Sequence, residues 1–123
     1  MKQISTNNAP QAIGPYSQAI ISNGLIFCSG QIPINPETGA IVEGLEAQAH
    51  QVFKNIKNLL EAGGTSMDNV IKTSVFIKDM NDFGKINEIY AEYFTEPFHA
   101  RSCVEVARLP KDVLLECEVI AEV

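Results

Sequence analysis

Residues 43–78, EGLEAQAHQVFKNIKNLLEAGGTSMDNVIKTSVFIK, contain the change of hydrophobic period that decides the fold class. Over residues 43–62 the apolar side chains recur at helical spacing, and Gly63-Gly64 follows as a C-terminal stop. Residues 70–78 instead alternate, which predicts a strand. The residues that share one side of this strand are Ile71, Thr73, Val75 and Ile77. An amphipathic helix followed by such a strand predicts a mixed helix and sheet architecture.

The flanking residues extend this pattern in both directions. Two β-rich runs on either side of Asn23-Gly24 predict a hairpin with a tight type I′ turn, and NPETG at 35–39 predicts a second turn. A second helix is predicted over 81–94, capped by Asp79 or Asn81. Two further strands are predicted at 102–107 and 113–123. The order β-β-α-β-α-β-β predicts an α+β fold, with two helices on one face of a sheet, in a single domain of residues 1–123.

The second face of the predicted sheet also carries apolar side chains. Val70 and Phe76 oppose the Ile71 set on the first of these strands, and Val104 and Val106 lie on the next strand. Two helices cover only one face of such a sheet. We therefore expect another copy of the chain to cover the second face in a closed homo-oligomer.

Composition excludes several classes of function. The net charge of −6 and the pI of about 4.8 do not favour a nucleic-acid partner, since phosphate binding needs clustered positive charge. No apolar run approaches the roughly 20 residues that span a bilayer, and the N-terminus lacks the apolar stretch of a signal peptide. A cytoplasmic protein without a membrane partner is therefore expected. Three widely spaced cysteines and two histidines predict neither a disulfide framework nor a metal site.

Two charges stand in the otherwise apolar C-terminal strands, Arg101 and Glu116. If Pro110-Lys111 forms a two-residue turn, Ala107 pairs with Leu114 and Glu105 pairs with Glu116. Arg101, Cys103 and Glu105 would then share a face with Glu116 and Glu118. Arg101 and Glu116 would lie about 13 Å apart at roughly 3.3 Å per residue, so a ligand, a water, a bulge or a neighbouring chain would have to join them.

These residue types fit the chemistry of small acids. An arginine guanidinium matches a carboxylate with two parallel hydrogen bonds, and a glutamate at some distance orients or deprotonates a water. A structural ion pair on the surface or at an interface is the alternative, and spacing alone favours it. Cys103 lies near Arg101, but no histidine is spaced to activate its thiol, so its backbone N–H is the better candidate contact. Ser29-Gly30 at a strand end also presents backbone donors, and Tyr16 follows the Gly14-Pro15 turn.

Four segments together resemble the RidA/YjgF family of reactive-intermediate deaminases. They are IGPYSQ at 13–18, CSGQIP at 28–33, KTSVFIKDMNDF at 72–83 and ARSCVEVARLPKD at 100–112. The resemblance runs essentially from end to end of the chain. It implies a chorismate-mutase-like α+β fold with a mixed sheet, assembled as a homotrimer with clefts between subunits. It also implies hydrolysis of 2-iminobutanoate and 2-iminopropanoate to the 2-keto acids and ammonia, with no metal and no cofactor.

The resemblance also assigns roles to residues of this chain. Arg101 resembles the arginine that holds the substrate carboxylate, and Glu116 resembles the acid that positions the hydrolytic water. The remaining cleft residues that it implies are Tyr16, Ser29, Gly30, Asn87 and Cys103. The chain departs from the family pattern at His99, where a proline is usual, so the cleft shape and the preferred imino acid stay open.

Two other functions remain open at this point. One is a non-catalytic trimer that binds small carboxylates or acts like a chaperone, for which Arg101 alone would suffice. The other is an RNA-directed endoribonuclease or translation inhibitor. The acidic balance and the lack of a catalytic histidine pair disfavour it.

Overall fold

Six strands and two helices make up the structure, a computed structural model that describes residues 1–123. The strands are β1 (Lys2–Ile4), β2 (Ala19–Ser22), β3 (Leu25–Gln31), β4 (Val70–Ile77), β5 (Ala100–Glu105) and β6 (Leu115–Glu122), and the helices are α1 (Leu45–Ala62) and α2 (Phe83–Tyr90). The prediction of two helices on one face of a mixed sheet is confirmed. The short edge strand β1 was not predicted, because three residues are too few to show a period.

The strands form one sheet in the order β1-β2-β3-β6-β4-β5. All neighbours are antiparallel except β4 and β5, which are parallel. The predicted hairpin between β2 and β3 is confirmed. Its turn residues Asn23 and Gly24 have φ values of 52° and 77°, as a type I′ turn requires.

Helix α1 supplies the largest part of the core. Val52, Phe53, Ile56, Leu59 and Leu60 are all fully buried against the sheet. The Phe53 ring lies 5.4 Å from the Tyr90 ring of α2 and 5.3 Å from the Tyr93 ring, so it joins the two helices. Burial of each such side chain contributes about 1.5–3 kcal/mol.

Helix α2 is shorter than the predicted 81–94. The Asp79 side chain accepts a 2.9 Å hydrogen bond from the Asn81 N–H and caps a single 3₁₀ turn that precedes the helix. After Tyr90 the backbone tightens into i to i+3 hydrogen bonds, for example from the Tyr93 N–H to the Tyr90 carbonyl at 3.0 Å. The apolar stripe continues through Phe94, which is buried although it lies beyond the helix.

The prediction of which residues share one face of β4 is wrong for the first two residues of the strand. The pairing with β6 shifts between Val70 and Lys72, so Ile71 is an extra residue at a β-bulge. The bulge turns Ile71 out, with 40% of it exposed, and turns Val70 in. From Thr73 onward the predicted alternation holds, and Thr73, Val75 and Ile77 face the helices.

The predicted hairpin between the last two strands is also wrong. β6 lies between β3 and β4, and β5 pairs with β4 alone. Glu116 therefore pairs with Phe76, and Glu105 pairs with Ile77. The connection does not form a two-residue turn, because residues 110–112 make a 3₁₀ turn in which Lys111 has a φ of 55°.

Buried amide side chains fix the loops at the rim of the sheet. Gln18 donates to the Pro10 carbonyl at 2.7 Å and accepts from the Thr6 N–H at 2.7 Å, which anchors the N-terminal segment. Asn55 of α1 donates to the Ile34 carbonyl at 2.9 Å, and Gln48 accepts from the Leu114 N–H at 2.8 Å. Neither helix is long and apolar enough to cross a bilayer.

Candidate active site

Arg101 is held in a fixed orientation at the edge of the sheet. Its Nη1 donates a 2.8 Å hydrogen bond to Oδ1 of Asn87, a residue on the side of α2 that faces β5. The guanidinium carbon also lies 4.7 Å from the centre of the Tyr90 ring and 5.4 Å from that of Phe83. Two cation–π contacts and one hydrogen bond to an amide oxygen therefore set the plane of the guanidinium. Its other N–H groups are available to a ligand.

A cavity of about 420 Å³ opens beside this arginine. The residues that line it are Asn87, Tyr90, Ala91, Phe98, His99 and Arg101. We call these six residues the arginine half-site. Of the predicted site residues, the structure therefore brings Asn87 and Arg101 together.

Cys103 follows Arg101 on the same side of β5 and is partly buried. Burial raises the pKa of its thiol, and the nearby Arg101 charge offsets this only in part. The thiol is therefore protonated at neutral pH, which argues against a nucleophilic role.

A second group of predicted residues surrounds Glu116. A cavity of about 440 Å³ is lined by Ile13, Tyr16, Ser29, Gly30, Ile32, Pro110, Glu116 and Glu118. We call these residues the glutamate half-site. Tyr16, Ser29, Gly30 and Glu116 were all predicted for the site, and the structure gathers them here.

Gly30 and Glu116 are in close contact within the glutamate half-site. A Cβ atom added to Gly30 would lie 2.8 Å from Cδ and 3.0 Å from Oε1 of Glu116. The absence of a side chain at residue 30 therefore leaves the space that the carboxylate occupies. Ser29 is fixed in turn, since its Oγ donates to the Ser17 carbonyl at 2.7 Å.

The carboxyl group of Glu116 has an unusual environment. Burial raises its pKa, and the neighbouring Glu118 carboxylate raises it further. A carboxylate with a raised pKa is a stronger base than one in water, so it suits the removal of a proton from a water molecule.

The two half-sites lie on opposite faces of the sheet, which corrects the predicted shared face of Arg101 and Glu116. Arg101 pairs with Thr73, which points to the helices, whereas Glu116 pairs with Phe76, which points to the other face. The incorrect β5–β6 hairpin produced this error. Within one chain, a small ligand does not reach both residues.

Neither helix covers the face that carries Glu116, and only Phe76 at its end packs against a small cluster of loop residues. Phe27 and Val104 are exposed there by 43% and 48% of their surface, and Phe76 is only partly buried. Exposed apolar side chains of this size on one sheet face are typical of a surface that binds another protein.

Sequence reasoning missed several residues of both half-sites. Tyr90 was assigned only to the apolar stripe of the second helix, although it lies three positions after Asn87 and therefore on the same side. His99 was noted as a departure from a family pattern and not as a site residue. Glu118 was placed on the face of Glu116, which the structure bears out, but it had no assigned role.

Comparison with known proteins identifies the family of this chain. The family described as Endoribonuclease L-PSP matches residues 6–123. A 2-iminobutanoate/2-iminopropanoate deaminase of Salmonella typhimurium is 52% identical over 123 residues, which cover 98% of this chain and 96% of the relative. A RutC family protein of Pyrococcus horikoshii is 60% identical over 119 residues, covering 96% of this chain and 94% of the relative.

Solved structures agree over the whole fold. The crystal structure of RidA from an Antarctic Psychrobacter has a TM-score of 0.97 and 42% identity, and each chain is covered completely. The crystal structure of Escherichia coli TdcF with bound serine has a TM-score of 0.95 and 46% identity, covering 100% of this chain and 99% of the other. The chain therefore belongs to the Endoribonuclease L-PSP family, which is also called the RidA/YjgF family.

Proposed function

We propose that this protein hydrolyses 2-iminobutanoate and 2-iminopropanoate to the corresponding 2-keto acids and ammonia. The observation that carries the proposal is the arginine half-site, in which Asn87 and two aromatic rings hold the Arg101 guanidinium beside a cavity. Relatives that are 52% identical over nearly the whole chain are named deaminases of these two imino acids. A related structure is described with bound serine, which is also a small 2-substituted carboxylic acid.

The complete site, in this proposal, forms where two copies of the chain meet. The arginine half-site of one copy faces the glutamate half-site of the next, and the exposed apolar side chains Phe27 and Val104 are buried between copies. A head-to-tail contact that closes after three copies gives a homotrimer with three equivalent clefts. The observation that supports this arrangement is the separation of the two half-sites on opposite faces of one sheet.

Arg101 binds the substrate carboxylate in this cleft. A guanidinium forms two parallel charge-assisted hydrogen bonds with a carboxylate, each worth about 1.5–3 kcal/mol. The bound carboxylate fixes the direction of the adjacent imine carbon, and positioning of this kind lowers the barrier to attack.

Glu116 accepts a proton from the attacking water. The water oxygen forms a bond to the imine carbon, the π electrons of the C=N bond move to nitrogen, and Glu116 passes to that nitrogen the proton that it took from the water. In the resulting carbinolamine, Glu116 takes the proton of the hydroxyl group, and a C=O bond forms as the C–N bond breaks. Glu116 gives this second proton to the departing nitrogen, so that ammonia leaves and the carboxylate is regenerated.

Ammonia release from freshly generated 2-iminobutanoate tests the proposal. Arg101→Ala should abolish turnover while the oligomer persists, because the carboxylate loses its partner. Glu116→Gln should lose most of the turnover but still bind 2-ketobutanoate. Wild-type rates in the Arg101 variant would refute the role of Arg101 as a clamp on the substrate carboxylate. Wild-type turnover in the Glu116 variant would remove Glu116 from the mechanism.

A second candidate function follows from the description of the family as an endoribonuclease. The net charge of −6 disfavours it, since RNA binding depends on the release of cations from phosphates. RNA binding that weakens steeply with salt, together with cleavage, would favour this candidate over the deaminase. A trimer that only binds carboxylates would instead release no ammonia and would be indifferent to Glu116→Gln.

A further inference from the structure

His99 forms part of the wall of the arginine half-site and is firmly held there. Its ring lies 4.4 Å from that of Phe94 at an angle of 60°, and its Nε2 shares a hydrogen bond with the Tyr90 hydroxyl. The side chain is half-buried and lines the same cavity as Arg101. A titratable imidazole therefore faces the space in which the proposed function puts a carboxylate.

The hydrogen bond of His99 continues into the core. The Tyr90 hydroxyl lies 2.7 Å from Oγ1 of Thr73, which is completely buried. A neutral His99 with its proton on Nδ1 accepts from Tyr90, which can accept in turn from Thr73. A protonated His99 donates to Tyr90, and Tyr90 then donates to Thr73. Because each hydroxyl both donates and accepts, His99 gains a proton without losing this bond.

The charges around His99 decide when it takes up that proton. Burial and the Arg101 guanidinium lower its pKa, so the imidazole is neutral at pH 7. The titratable group of α2 that faces His99 is Tyr90, which is neutral because its pKa is about 12. The residue of β4 in this hydrogen-bonded chain is Thr73, which is uncharged. Cys103 on β5 has a raised pKa and is also neutral.

The other charged residues of α2 do not offset the effect of Arg101. They are Lys85 and Glu88, which are exposed and pair with each other at 3.3 Å. A carboxylate bound to Arg101 would neutralise the charge that lowers the pKa of His99. It would also attract an imidazolium directly, so the bound anion favours protonation twice over.

We propose that His99 is a second, proton-dependent positive group for the substrate carboxylate, which becomes charged when a small 2-keto or 2-imino acid binds to Arg101. The proposal rests on the proposed function, since it needs a carboxylate on Arg101. By reciprocity, ligand binding takes up a proton and acid pH strengthens binding. Affinity should then rise by at most about tenfold for each unit that the pH falls while His99 titrates.

Calorimetric titration with 2-ketobutanoate, in buffers of different ionisation enthalpy, counts the protons that the protein takes up for each ligand bound. The wild-type protein should take up a fraction of a proton at pH 7 and bind more tightly at pH 6. His99→Gln keeps a side chain that bonds to Tyr90 but does not titrate, so its uptake should be close to zero. His50→Gln is the matched control, because the His50 ring bonds to Tyr93 at 2.8 Å and does not line the cavity.

The outcomes separate this inference from the proposed function. If Arg101→Ala binds 2-ketobutanoate as the wild type does, the carboxylate clamp itself is wrong. If Arg101→Ala loses binding while His99→Gln keeps the wild-type proton uptake, only the role of His99 is overturned. An NMR titration of the wild-type imidazole needs no variant, and a pKa of His99 that fails to rise when the ligand is added would also overturn it.

Discussion

The contact between Gly30 and Glu116 gives a direct test of how closely the glutamate must be positioned. In Gly30→Ala the new Cβ would start 2.8 Å from Cδ of Glu116, whereas ordinary contacts begin at 3.4 Å. The carboxyl group must therefore move by about 0.6 Å or more, which is beyond the tolerance of about 0.5 Å for a catalytic group. A displacement of 1 Å costs up to about 100-fold in rate, so we expect kcat to fall by about 10- to 100-fold.

The same substitution should leave the fold intact. Gly30 does not have a positive φ, and the atoms that the new Cβ meets are at the end of a flexible side chain. Alanine also restricts the unfolded chain, which stabilises a protein by about 0.4–1 kcal/mol where the conformation is compatible. The melting temperature of Gly30→Ala should therefore equal or exceed that of the wild type.

Gly84→Ala is the matched control for this prediction. An added Cβ at this position of α2 meets no atom within 4 Å, and the φ is not positive. It should raise the stability by about 0.8–1 kcal/mol, the difference in helix propensity, without changing kcat. The assay is ammonia release under saturating 2-iminobutanoate, with thermal unfolding measured on the same samples. Wild-type kcat in Gly30→Ala would refute the reasoning, as would a loss of kcat that Gly84→Ala shares.

Three further predictions concern charge, packing and assembly. Deaminase activity should rise with pH through the raised pKa of Glu116, because only its ionised form accepts a proton. Glu118→Gln removes the repulsion that contributes to this shift, so it should move the acidic limb of the pH–rate profile to lower pH, and an unmoved limb would contradict the assignment. Phe53→Ala should lower the free energy of unfolding by about 3–5 kcal/mol in a denaturant titration, since the ring is fully buried between the helices, and a loss below about 1 kcal/mol would contradict this packing. Val104→Asp should dissociate the oligomer and abolish activity while the circular dichroism spectrum of the chain persists, and an active oligomer would show that this face is not the interface.

Local patterns in the sequence were sufficient for most of the elements. Helix α1 shows its period over 18 residues and ends at two glycines, and the turn at Asn23-Gly24 requires a conformation that this pair adopts readily. Strand β1 has only three residues, so its apolar pattern carries no signal.

The arrangement of the last strands was beyond such local reasoning. A short connection between β5 and β6 favours a hairpin, but β4 has the longer apolar face and pairs with both strands. The pairing of β4 with both strands joins residues far apart in the sequence, so no local pattern reveals it. The error moved Glu116 to the wrong face. Glu116 does stand in a largely buried strand, but β5 is an exposed edge strand, so the expectation of a buried surrounding for Arg101 was wrong.

The clustering of the site residues was predictable only in part. The family resemblance assigned Tyr16, Ser29 and Gly30 to a cleft, and these residues do lie together beside Glu116 at the end of one hairpin. The role of Tyr90 was not predicted, because an aromatic side chain in a helical apolar stripe is typical of the core. In the structure the ring packs on Phe53 and also contacts the Arg101 guanidinium.

Subunit complementation tests the central claim most directly. Arg101→Ala is expected to be inactive and Glu116→Gln to keep little activity, and the two proteins would be mixed in equal amounts, dissociated and reassembled. If Arg101 and Glu116 act from different chains, random reassembly leaves both residues intact in about one quarter of the clefts, so about one quarter of the wild-type activity should return. Mixed oligomers that release no ammonia would contradict the account, because the two residues would then have to act from the same chain.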